Sequence, residues 1–145
     1  MEYTVKNIKS TIGMEGHGFQ CSLYKDGKKI GIVSDYADGG SYFYELDKGE
    51  EKILDAHCKT LPKRQLDEFE LDMNSDMFVY DLVMDFKDKK QMRTWCRKKT
   101  VFYIDGDNVE IGGYRNISHK FDQSVKEHLE KKYKDKGLVI MNETI

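Results

Sequence analysis

The chain has 145 residues, of which 39% are apolar, 34% charged and 12% aromatic, and its formal net charge is −2. So aromatic a chain with so well mixed a charge is not a disordered one, and its length suits one domain, 1–145, with a real core. The near-neutral balance gives no global attraction to nucleic acid or to an anionic membrane.

No apolar run approaches the roughly 20 residues that cross a bilayer. The opening "MEYTVKNIKS" is acidic and then alternating, unlike a signal peptide. Cys21, Cys58 and Cys96 are odd in number and widely spaced, so they form neither a disulfide framework nor a zinc knuckle. The expectation is a soluble, cytoplasmic protein without a cofactor.

In chain order, Tyr3 to Ile8 reads as a first strand, followed by a glycine-bearing loop from Thr11 to His17. Next comes "GFQCSLYKDGKKIGIVSD", in which Asp26-Gly27 separates two alternating runs. A type I′ turn needs positive φ at both central residues, which this pair supplies. A two-residue turn sets Lys25 opposite Lys28, Leu23 opposite Ile30, Cys21 opposite Ile32 and Phe19 opposite Ser34. One face then carries Phe19, Cys21, Leu23, Ile30 and Ile32 as core, while Gly31 and Val33 join the polar face. Ser41 to Leu46 reads as a further strand.

Asp47 with Glu50 three residues on suits a helix start. Ile53, Leu54, His57, Cys58 and Leu61 share a stripe, and Pro62 ends the run. Lys63 to Met73 alternates weakly, between short strand and loop. A long helix is predicted from Asn74 or Ser75 to about Lys98, with a break near Lys87. Val101–Ile104 and Val109–Ile111 flank "DGDN" as a second hairpin, and Tyr114–Ile117 adds a strand. Ser124 with Glu127 forms a capping box for a helix whose inner face is Val125, Leu129 and Tyr133; Gly137 stops it before a last strand, Leu138–Met141. The expected class is α+β: a mainly antiparallel sheet of five to seven strands with two or three helices on one face.

Because the hairpin ends at Phe19 and Ser34, the loops before and after it emerge at one edge. This brings Glu15, His17, Asp35, Tyr36, Asp38, Gly39 and Gly40 into one neighbourhood. Glycines let backbone N–H groups approach a partner, and a histidine among carboxylates suits metal binding or proton transfer. The competing reading is ordinary turn chemistry with a solvated histidine. Cys21 points to the apolar face and is no nucleophile for His17. "DGDNVE" at Asp105 lacks the glycine and the bidentate glutamate of a calcium loop, so it is a turn.

Charge is segregated. From Asp67 to Asp85 there are seven acids and no base, and from Lys87 to Lys99 there are seven bases and one acid, Asp88. Lys89, Lys90, Arg93 and Arg97, with Trp95 among them, suit a nucleic-acid surface. The competing reading is a helix whose end charges complement its dipole while Met92, Trp95 and Cys96 pack inward. Tyr36, Tyr42, Tyr44, Tyr103 and Tyr114 lie in or near strands, where alternation turns some outward as interface residues.

"VKNIK", "GHGF", the "DGKK" hairpin, "ADGG" and a lysine-rich helix near the C-terminus resemble small uncharacterised proteins encoded by bacteriophages and other mobile elements. The resemblance rests mainly on the N-terminal third. It implies action inside a bacterial host cell by docking on a host or defence-system protein, and it carries over no catalytic residue. Nucleic-acid binding through the 87–99 segment and a small metal-dependent enzyme at His17 and Asp35 are the alternatives.

Overall fold

A computed structural model describes all residues, 1–145. The chain divides into two compact units, Met1–Phe86 and Lys87–Ile145. The first contains β1 (Tyr3–Gly13), β2 (Gly16–Lys25), β3 (Lys28–Asp35), β4 (Phe43–Leu46), α1 (Glu50–Lys59) and a small hairpin, β5 (Arg64–Leu66) with β6 (Phe69–Leu71). Helix α2 (Ser75–Lys98) contains the boundary. The second unit continues with β7 (Thr100–Tyr103), β8 (Arg115–Ile117), α3 (Gln123–Lys132) and β9 (Val139–Ile140).

The class is α+β and the strands pair antiparallel, but they form three sheets, ordered β1-β2-β3-β4, β5-β6 and β8-β7-β9, and not one sheet of five to seven strands. Periodicity identifies a strand; it does not choose the strand's partner, which long-range packing decides. In the first unit Val5, Phe19, Cys21, Leu23, Ile30 and Val33 meet Leu54 and Cys58 of α1 and Val79 and Val83 of α2 in one core. Leu23 and Leu54 are fully buried, each contributing about 1.5–3 kcal/mol relative to exposure. The second unit has its own core of Phe102, Leu129 and Ile140, with Val125 and Tyr133 packed against it.

Asp26 and Gly27 do form the turn, at φ 50° and 83°, and Lys25 faces Lys28. Beyond Tyr24–Lys29 the expected register is corrected by one residue. Leu23 pairs with Gly31, Cys21 with Val33 and Phe19 with Asp35, because a bulge lies between Leu23 and Tyr24. The bulge leaves Ile30 as an extra residue that still reaches the core, and Val33 replaces Ile32 there. Gly31 makes this possible. Its φ is 151°, and a Cβ on it would stand 2.1 Å from the Glu45 carbonyl of β4.

Other boundaries move for local reasons. β1 runs on to Gly13, so the expected Thr11–His17 loop is a tight turn centred on Met14 and Glu15. Helix α1 is entered through Gly49, at φ 85°, and not through Asp47. Helix α2 is unbroken at Lys87. Val109–Ile111 is a 3-10 turn and not a strand. There Asp107 turns its carboxylate back to the Ile104 N–H and out to Arg115, and β7 pairs with β8 instead. Asp122, not Ser124, caps α3, accepting the Val125 N–H at 2.8 Å.

Candidate functional site

The one-residue slip leaves the loop edge in place. The Glu15 N–H donates to the Ala37 carbonyl at 2.7 Å, and the Thr11 hydroxyl donates to the Asp35 carbonyl at 3.2 Å. The segment leaving β3 lies so close over the end of the β1–β2 hairpin that only glycine fits beneath it. A Cβ on Gly13 would stand 2.1 Å from the Tyr36 carbonyl oxygen, and one on Gly18 2.0 Å from that of Asp35. The loop also braces itself. The Asp35 carboxylate accepts the Ala37 N–H and that of Asp38 the Gly40 N–H, both at 2.9 Å. Ala37 is buried at φ 51°, and Gly39, at φ 82°, lies against the Glu15 side chain.

The structure thus brings Glu15, Asp35, Tyr36, Asp38, Gly39 and Gly40 together. His17 lies on β2, exposed and paired with Ile12. Cross-strand pairing puts Asp35 opposite Phe19, two residues from His17 on the same face. The Asp35 carboxylate is already engaged by its own loop. No group of three or more His, Cys, Asp or Glu side chains is arranged to hold a metal ion.

Beside the exposed Glu15, His17 and Asp38, this edge displays large apolar side chains. Met14 is 96% exposed, Ile12 82%, Tyr36 54% and Phe43 50%, and the Tyr36 and Phe43 rings lie 6.1 Å apart. Sequence reasoning missed Ile12, Met14 and Phe43. The signal for the first two is "GMEG": glycines three apart enclose a two-residue turn that exposes residues a longer loop can fold away. Of the five tyrosines, some of which were expected outward, Tyr36 is the one largely exposed. The backbone N–H of Tyr42 and the hydroxyl of Tyr44 donate to Asp76 at 3.1 and 2.5 Å, while the rings of Tyr103 and Tyr114 pair at 6.0 Å. Burial pushes the Tyr42 phenol up to about 12 and the Cys21 thiol up to about 11. Cys21, 1% exposed, is a core residue, as its strand parity requires.

The basic segment is the last part of α2. Lys87, Lys89, Lys90, Arg93, Arg97 and Lys98 are exposed, Met92 is buried, and Trp95 and Cys96 are half-buried. The Lys99 ammonium sits 5.3 Å from the centre of the Trp95 ring. "DGDN" is a turn whose acid serves Arg115, and that guanidinium holds the Asp107 carboxyl below its ordinary range. No helix is long and apolar enough to cross a membrane. Compared with known proteins, the chain matches no family model, no curated protein and no solved structure.

Proposed function

We propose that the protein is a non-enzymatic binding protein of phage type that docks on a bacterial host or defence-system protein through the edge formed by residues 12–17 and 35–40. One observation carries this reading. Four large apolar side chains, Ile12, Met14, Tyr36 and Phe43, are half or more exposed on backbone fixed by hydrogen bonds and glycine contacts. Exposed apolar groups clustered at one place mark contact surfaces, and aromatic anchors dominate binding energy. A braced loop also loses little conformational freedom on docking, which leaves more of the contact energy as affinity.

The test is affinity capture from bacterial lysate with the wild type beside Met14→Lys and Tyr36→Ala. A stoichiometric partner held by the wild type and lost by both variants supports the reading. A partner held equally by all three overturns it.

A further inference from the structure

We propose that the exposed face of α2 between Lys87 and Lys98 is a separate binding site for the phosphate backbone of duplex DNA, engaged without reading base sequence. The second unit has fourteen bases and nine acids and so carries +5, although the whole chain is at −2. Within it the charge has a direction. At about 100° per residue, Met92, Trp95, Cys96 and Lys99 share the packed side of the helix. Lys90, Arg93 and Arg97 fall on the opposite side, with Lys87 and Lys98 flanking them. The sole acid, Asp88, is seven residues from Trp95 and falls on its side. Asp88 is itself exposed, but the side that carries Lys90, Arg93 and Arg97 has a single sign.

Two bland explanations fall short. A helix dipole is complemented only within its last turn, which accounts for Arg97 and Lys98 but not for Lys87, Lys90 and Arg93. Ordinary surface pairing does not account for them either: Arg115–Asp107 and Lys126–Glu143 are ion pairs of this unit, and neither engages Lys87, Lys90 or Arg93.

The same face identifies its occupant. It presents Gln91 and Thr94 beside the cations and no apolar side chain, so it has nothing to insert into a membrane and no aromatic or aliphatic group to fill a pocket on a protein partner. Trp95 is on the packed side with Lys99 over its ring, which disfavours stacking on single-stranded bases. What remains is a cationic rod, about 16 Å from Lys87 to Lys98 at 1.5 Å per residue. The major groove of B-DNA admits such a helix, and the deep, narrow groove of A-form RNA does not.

The experiment is fluorescence anisotropy of the full chain on two 20-base-pair DNA duplexes of unrelated sequence, across a potassium chloride series. Contact with four to five phosphates predicts equal affinity for both duplexes and a slope of log affinity on log salt of about −4, or a fall of about 250-fold between 50 and 200 mM. The triple change Lys90→Gln, Arg93→Gln, Arg97→Gln should keep the far-UV circular dichroism spectrum, weaken binding at least about 30-fold at 50 mM salt and reduce the slope by about 3. No binding at 50 mM salt, or a folded triple variant that binds like the wild type, overturns the proposal. So does retention on phosphatidylserine vesicles with none on DNA.

Discussion

Tyr3 buries its ring between His57 and Phe78 at centroid distances of 5.2 and 5.6 Å, yet its hydroxyl has no hydrogen-bond partner. An unmet buried hydroxyl is a cost, so Tyr3→Phe should leave stability unchanged or raise it by up to about 1 kcal/mol in urea denaturation. A loss of that size would disprove the reading. Tyr44 is the opposite case. Its hydroxyl donates to the Asp76 carboxylate at 2.5 Å, and Tyr44→Phe should cost about 1.5–3 kcal/mol, the range for hydrogen bonds to charged groups. The two substitutions delete the same atom and should differ in sign or nearly so. Gly18→Ala drives a methyl group into the Asp35 carbonyl and the Thr11 hydroxyl, and should destabilise by about 1–3 kcal/mol. An effect below about 0.5 kcal/mol, ordinary for a surface site, would mean that the loop edge yields and is not braced.

At the scale of elements, the bulge in β3 makes a prediction that simple alternation reverses. Val33 is fully buried and Ile32 only in part. Val33→Ala should therefore cost about 2–3 kcal/mol, and Ile32→Ala markedly less; a larger loss at Ile32 would restore the unbulged register. This pair also shows what was legible in the sequence. Asp26-Gly27 announced the turn because few residue pairs accept positive φ twice in succession. The slip that follows depends on the β4 backbone at Glu45 pressing on Gly31, a contact between residues far apart in sequence that no local pattern records. The helices were legible by periodicity: Leu54 with Cys58 and Val125 with Leu129 repeat at helical spacing. The caps were not, since Asp122 and Ser124 are chemically equivalent candidates and tertiary packing chose between them. The loop edge was legible through its glycines and aspartates. Its apolar tips were not, because Ile12 and Met14 resemble core residues until the tight turn at Gly13–Gly16 projects them outward.

For the molecule as a whole, buried groups that resist ionisation set an alkaline limit. In the unfolded chain Cys21 and Tyr42 lose protons near their ordinary values of about 9 and 10, and in the folded chain only near about 11 and 12. Burial raises Tyr44 as well. The unfolded state thus sheds protons first, so stability is intact below pH 9 and falls as the pH climbs from about 9 to about 12. Circular dichroism followed against pH should show the first unit failing in this window, and Tyr42→Phe should move the loss upward. An unchanged transition in that variant would assign the limit to other groups.

The partition of charge has a practical outcome of its own. Residues 1–86 hold ten bases and seventeen acids, for −7, against +5 in residues 87–145. A sequence pI near 6.1 suggests a protein that a cation exchanger ignores at pH 7. An adsorbent responds to the patch that touches it and not to the sum over the chain, so columns of either sign should retain this molecule at low ionic strength and release both populations as salt rises.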